Sequence, residues 1–230
     1  MMLRRLFLLF VIGFTTVAVN AQHVAYRSFK HYNERVAEFE QLPSVLPTDI
    51  VMLGNSLTEF GGDWSARIPV SFNIVNRGIA GDDAGGILHR LIQVCPSHPK
   101  AIFFECGTND LSHGLSAKRV ARDVIKTIAA IRRQSPRTKL YVQSVFPINE
   151  DFGRWKTLIG KTNEIPKINA LLKKYCEQNG IVFLNIFDRL RYSDSNKMRE
   201  EYCKDGIHLT ELGYDVWVDA IRDYILELNQ

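Results

Sequence analysis

Ser56, Asp205 and His208 are residues whose types and order could perform nucleophilic catalysis. A serine hydroxyl is a weak nucleophile until a base takes its proton, and that base must be held in one tautomer by an acceptor. In Asp205-Gly206-Ile207-His208 a carboxylate stands three residues ahead of an imidazole, and a single turn brings such groups within hydrogen-bond reach. Gly54-Asn55-Ser56-Leu57-Thr58 directly follows an apolar run, so Ser56 is expected where a strand gives way to a turn or helix. Backbone N–H groups at a helix start stabilise negative charge, although Asn and Ser also occupy such places as ordinary caps.

Two further blocks supply groups for a developing oxyanion. Asn76-Arg77-Gly78-Ile79-Ala80-Gly81-Asp82-Asp83-Ala84-Gly85-Gly86 is a glycine-rich loop before a helix, where the backbone can approach a ligand and aim N–H groups at it. Its spacing is not Gly-x-Gly-x-x-Gly and it does not follow the first strand, which favours an anion or oxyanion role over a dinucleotide. In Gly107-Thr108-Asn109-Asp110, Asn109 could donate its side-chain N–H to an oxyanion or cap the next helix. Each piece has a structural explanation of its own; their shared position after strand-like runs is what suggests one site.

Those runs are Ile50 to Leu53, Ile74 to Asn76, Ala101 to Cys106, Leu140 to Val145 and Ile181 to Asn185. Short, continuously apolar stretches suit parallel strands covered on both faces. Helices are expected at Tyr26 to Leu42, Ala84 to Val94, Ser116 to Gln134, Ile165 to Asn179 and Glu211 to Leu228. Pro43 and Pro47 end the first, and Asn179-Gly180 stops the fourth. This alternation predicts an α/β fold, a three-layer α/β/α sandwich on a five-stranded parallel sheet, with ligands beyond the carboxyl ends of the strands. No repeat or low-complexity linker divides the chain, so residues 22–230 are expected to form one domain.

Residues 1–21 read as a secretory signal: Arg4 and Arg5, an apolar run from Leu6 to Val19, then Val19-Asn20-Ala21 at a cleavage point. The run is shorter than the roughly 20 residues of a spanning helix, so stable membrane insertion after cleavage is not expected. Export to the periplasm or the extracellular space follows as an expectation. The signal removes two basic and no acidic residues, lowering the formal charge from +4 to +2, and nucleic acid is not an implied partner. Arg132-Arg133 and Lys173-Lys174 read as solvated helix faces. Cys95, Cys106, Cys176 and Cys203 have no Cys-x-x-Cys spacing for a metal site. An exported chain allows them one or two disulfides of unspecified pairing, with Cys106 expected simply to be buried. Surface or capping roles are expected for His23, His31, His89, His98 and His113, the last edging the pocket.

Taken together, Gly-Asn-Ser at 54–56, the glycine-rich block, Gly-Thr-Asn-Asp at 107–110 and Asp-Gly-Ile-His at 205–208 resemble the SGNH hydrolases, the GDSL-like esterase and lipase family. The resemblance implies a flavodoxin-like fold, Ser56 as nucleophile, His208 as base and Asp205 as its orienting partner. It also implies an oxyanion hole from the N–H groups of Ser56 and Gly81 and the amide of Asn109, with no metal or organic cofactor. Asn55 departs from the family's usual aspartate, though Asn can make many of the same hydrogen bonds. The glycine-rich block and Tyr141-Val142-Gln143-Ser144-Val145-Phe146-Pro147 are similar to a branch holding platelet-activating-factor acetylhydrolase subunits and carbohydrate O-acetylesterases.

The expected activity is therefore hydrolysis of short acyl esters, acetyl on a sugar foremost, with Phe152 and Trp155 offering aromatic surface or merely packing a loop. A lysophospholipase or thioesterase, an anion-binding protein and a non-catalytic glycan-binding module are the alternatives. The sequence leaves the oligomeric state open.

Overall fold

The computed structural model describes residues 26–229. The expected signal segment lies outside the described residues. Five parallel strands, β1 (Ile50–Gly54), β2 (Ile74–Gly78), β3 (Ala101–Phe104), β4 (Lys139–Gln143) and β5 (Val182–Leu184), form a sheet in the order β2-β1-β3-β4-β5. Ile50 lies beside both Ile74 and Ala101, Ala101 beside Lys139, and Tyr141 beside Val182. The order turns back at β1 and β3, and such reversals open a crevice at the carboxyl ends where ligands bind.

Successive side chains on a strand point to opposite faces, which is why each short run feeds two cores. Val51, Leu53, Ile102, Phe104 and Val142 pack on one side with α4 (Ala84–His89), α6 (Ala117–Gln134) and α7 (Ile165–Gln178). Ile50, Met52, Ala101, Phe103 and Tyr141 pack on the other with Trp64 of α3 (Trp64–Arg67) and with Tyr214, Trp217, Val218 and Ile221 of α9 (Glu211–Leu226). The remaining helices are α1 (Lys30–Gln41), α2 (Ser56–Glu59), α5 (Thr108–Ser112) and α8 (Phe187–Leu190).

Caps define several starts. The Ser116 hydroxyl accepts from the Arg119 N–H at the head of α6, and Thr210 does the same for Gly213 in α9. Arg132, Arg133, Lys173 and Lys174 are exposed. The expected helix through Val94 instead ends at His89, because Arg90 leaves helical geometry and turns inward, and short 3₁₀ turns follow. β3 stops at Phe104 rather than Cys106, because its neighbour β1 ends at Gly54 and bends into α2. No disulfide forms: Cys95, Cys106, Cys176 and Cys203 are all free and buried. Cys95, Cys106 and Cys176 lie in the core on one side of the sheet and Cys203 in the core on the other. Among the described residues, no helix is long and apolar enough to cross a membrane.

Candidate active site

Ser56 opens α2 at the carboxyl end of β1. Asn55 caps that helix, its Oδ1 accepting from the Leu57 N–H at 2.9 Å, so the turn is pinned one residue before the hydroxyl. His208 comes from the far end of the chain. Cys203 and Leu209 bridge as antiparallel neighbours, the Lys204 N–H donates to the His208 carbonyl at 2.8 Å, and the closed loop between them presents Asp205 and His208 together. Gly206 lies in that loop at φ +107, where a Cβ would stand 2.9 Å from the Asn149 carbonyl, so only glycine fits.

The three side chains meet as a line. His208 Nε2 lies 3.0 Å from Ser56 Oγ, and His208 Nδ1 lies 2.8 Å from Asp205 Oδ2. Asp205 Oδ1 accepts from the N–H groups of Ile207 at 3.2 Å and His208 at 3.0 Å. Burial pushes the Asp205 carboxyl upward, but the His208 N–H, the imidazole and the Ile207 N–H outweigh it and bring the pKa below the ordinary value. An ionised Asp205 makes Nδ1 the donor of the imidazole and leaves Nε2 free to accept from Ser56. Ser56 is 6% exposed, and His208 is partly buried.

The oxyanion candidates converge on the same end of the sheet. Gly81 follows β2 at φ +85, a backbone conformation that favours glycine, and a Cβ there would press on the Phe29 ring at 3.0 Å. Among the described residues, neither the Ser56 nor the Gly81 N–H donates to another protein group. Asn109, in α5, donates from Nδ2 to the Asp82 carbonyl at 2.8 Å. An amide nitrogen carries two hydrogens, so one anchors the side chain to the glycine-rich loop and the second is available to an oxyanion.

Behind these donors lies a layer of ionisable groups that the motif reading did not single out. Arg90 donates from Nε to Asp82 Oδ2 at 2.8 Å and from Nη2 to the Gly54 carbonyl at 3.0 Å, tying the glycine-rich loop to the nucleophile turn. Glu59 of α2 accepts from the Ala80 N–H and from His31 Nε2, a second tie between the same two loops. Burial pushes the Asp82 carboxyl up to about 6, with Arg90 opposing, and pushes Glu105 up to about 8, with the Asn55 amide opposing. Asp110, pushed up to about 7 by burial and by the charge of Asp83, accepts from the Ala84 N–H at 3.2 Å. The readable signal for this layer was Glu105, a lone acid inside an apolar run; the remainder is tertiary pairing.

Aromatic rings flank the imidazole. Trp155 lies edge-on at 5.5 Å and Phe60, half exposed, tilts over it at 5.1 Å. The Arg154 guanidinium covers the Trp155 ring at 5.7 Å, and its Nη1 lies 3.8 Å from Asp205 Oδ2. His113 faces Asp83 at 3.4 Å; burial and the charge of Arg27 lower its pKa, with Asp83 opposing. His31 pairs with Glu59, His89 stacks on Tyr26 at 4.0 Å, and His98 meets the Ser135 hydroxyl at 3.1 Å. His23 lies outside the described residues. Among the described residues, no group of three His, Cys, Asp or Glu side chains is arranged to hold a metal ion.

The pattern of the GDSL-like Lipase/Acylhydrolase family matches residues 52–216, which contain every member of the hydrogen-bonded line and all three oxyanion candidates. No curated protein sequence matched the chain. Among solved structures, a candidate platelet activating factor protein from Streptococcus pneumoniae superposes with a TM-score of 0.75 at 24% identity, covering 85% of this chain and 92% of its own. A GDSL-like lipase from Bacteroides thetaiotaomicron VPI-5482 gives 0.74 at 21% identity, covering 85% and 97%. A candidate acylhydrolase from Bacteroides fragilis NCTC 9343 gives 0.75 at 22% identity, covering 89% and 100%. At these identities the likeness is one of fold.

Proposed function

This chain belongs to the GDSL-like lipase/acylhydrolase family and is a serine ester hydrolase, and we propose that it is exported and removes short acyl groups, acetyl foremost, from carbohydrate esters through an acyl-enzyme on Ser56. The observation that carries the mechanism is the Asp205, His208 and Ser56 line, at 2.8 and 3.0 Å.

In this mechanism Ser56 Oγ attacks the ester carbonyl carbon while His208 Nε2 takes the hydroxyl proton. The carbonyl electron pair moves onto oxygen, which receives hydrogen bonds from the Ser56 and Gly81 N–H groups and the free hydrogen of Asn109 Nδ2. As the tetrahedral intermediate collapses, the imidazolium gives its proton to the leaving alkoxide, and the alcohol departs. Water then attacks the acyl-enzyme, with His208 as base again, and Ser56 leaves with the proton as the acid is released. Asp205 remains ionised throughout, orienting the ring and stabilising the imidazolium. Protein groups, substrate and water account for every proton, and no metal or organic cofactor is required.

Two features support the substrate reading. Trp155 and the half-exposed Phe60 stand beside the imidazole as aromatic rings that could pack against a sugar. The signal pattern of residues 1–21 would place the enzyme among extracellular or periplasmic glycans. The test is hydrolysis of p-nitrophenyl esters from acetate to decanoate, run beside Ser56→Ala and followed by acetylated sugars. Highest activity on acetate, abolished in the variant, supports the proposal. Activity that rises with acyl length would move the substrate to lysophospholipids or long-chain thioesters, and turnover that survives Ser56→Ala would remove Ser56 as nucleophile.

A further inference from the structure

Asn55 works at both ends. Its oxygen caps α2 through the Leu57 N–H, while its Nδ2 is buried and makes no hydrogen bond among the described residues. Glu105, the residue after β3, is wholly buried, and both of its carboxyl oxygens also lack a hydrogen bond. The two orphans are neighbours, short of full hydrogen-bond geometry: the Asn55 amide is the group that opposes burial in setting the Glu105 pKa. The backbones are pressed together here, since a Cβ on Gly54 would lie 2.9 Å from the Glu105 carbonyl. A buried donor beside buried acceptors, each otherwise without a hydrogen bond, is a pair rather than a coincidence of packing.

We infer that Glu105 is a positioning residue for the nucleophile turn: its carboxyl receives the Asn55 side-chain amide and so fixes the residue whose other end caps the helix that starts at Ser56. The inference rests on Ser56 as nucleophile. It also explains the departure at position 55. An ionised aspartate there could only accept hydrogen bonds, so Glu105 would have to hold a proton to meet it, whereas the Asn55 amide can donate to a Glu105 oxygen in either protonation state. Asparagine and glutamate form a matched donor and acceptor, so the residue at 55 depends on the residue at 105.

A complementary swap tests this, with kcat and KM on p-nitrophenyl acetate and the melting temperature measured for each variant. Asn55→Asp lowers kcat by about tenfold or more through loss of nucleophile alignment, with KM within about threefold of the parent. Adding Glu105→Gln restores kcat to within about threefold, because the introduced glutamine amide donates what the introduced aspartate accepts. Glu105→Gln alone stays near the parent, since its amide oxygen can still accept from Asn55. An Asn55→Asp variant with the parent's kcat, or a swap no better than that single change, overturns the inference. Should Asn55→Asp fail to fold, a folded and active swap sustains the pairing, and an unfolded or inactive swap refutes it. Ser56→Ala is assayed alongside: activity surviving there defeats the nucleophile reading, whereas the melting temperatures of the four-membered cycle still report whether 55 and 105 are coupled.

Discussion

Arg90→Met should destabilise the fold by breaking a charge pair that lies entirely out of water. The Arg90 and Asp82 side chains are each 1% exposed and meet at 2.8 Å, and Arg90 also holds the Gly54 carbonyl. Methionine retains most of the length of the side chain and removes the guanidinium, leaving Asp82 to be buried as an unpaired carboxylate or protonated. Losing one member of such a pair costs about 3–5 kcal/mol. For a chain of about 200 ordered residues each kcal/mol moves the melting temperature by roughly 2–4 °C, so a fall of about 10 °C is expected at pH 7. The deficit has a defined pH dependence. Asp82 already titrates at about 6, above its ordinary 3.8, and loss of Arg90 raises it further. A carboxyl whose folded pKa is raised loses stability as pH climbs from the unfolded pKa through the folded one. The variant should therefore approach the parent near pH 4 and diverge from it toward pH 7. Thermal melts followed by circular dichroism at fixed protein concentration measure this. Arg90→Met/Asp82→Asn, which carries no buried charge at either position, should recover more than half of the loss. A melting temperature within about 2 °C of the parent at pH 7, or a deficit independent of pH, would refute the reasoning.

Asn109→Ala should lower kcat on p-nitrophenyl acetate by about 10²–10³-fold with a smaller effect on KM, since the donor acts on the tetrahedral state; an unchanged kcat would remove Asn109 from the hole. Glu105→Gln should flatten the decline of stability between pH 5 and 8. Glu105 titrates at about 8 in the fold against an ordinary 4.5, so folding becomes less favourable as pH rises across that interval, and glutamine has no such titration. Its melting temperature should exceed the parent's at pH 8 by more than at pH 5, and parallel curves would argue against a buried acid. Trp155→Ala should raise KM for a sugar acetate several-fold while leaving p-nitrophenyl acetate within about twofold, and equal losses on both would place Trp155 in the support of His208 instead.

How much of this was legible beforehand follows from which interactions are local. The five strands could be located because each is a short apolar run ended by a turn residue, and α6 because its buried residues repeat at helical spacing behind Ser116. The blocks at 54–56, 107–110 and 205–208 were legible as strand-end chemistry. Their distances were not, because the 152-residue separation of Ser56 and His208 is closed only by tertiary packing. Nothing in the runs specified the lateral order of the strands. Arg90 read as part of a longer helix because an amphipathic pattern does not reveal that its charged member will turn inward to Asp82. The cysteines allowed bridges that the fold does not make, since spacing along the chain carries no information on whether side chains enter the same layer.

The buried acids bear on catalysis through the charge they do not carry. In the proposed mechanism a negative charge develops where the N–H groups of Ser56 and Gly81 and the amide of Asn109 converge, so fixed negative charge behind them would oppose the step. At an effective dielectric of about 20, a carboxylate about 8 Å from an oxyanion would repel it by roughly 2 kcal/mol, close to a thirtyfold loss of rate. Asp82, Asp110 and Glu105 all titrate above their ordinary range, at about 6, 7 and 8, and Arg90 neutralises the lowest of them. Near neutral pH the layer therefore supplies hydrogen-bond acceptors for Arg90, the Ala84 N–H and the Asn55 amide while carrying much less negative charge than three carboxylates would. Asp205 is the opposite case. Its N–H donors and the imidazole hold it ionised beside His208, where the proposed mechanism would develop a positive charge. Burial that outweighs the donors raises the three acids above their ordinary range, and donors that outweigh burial lower Asp205, so the same residue type is tuned in opposite directions in the two halves of the site.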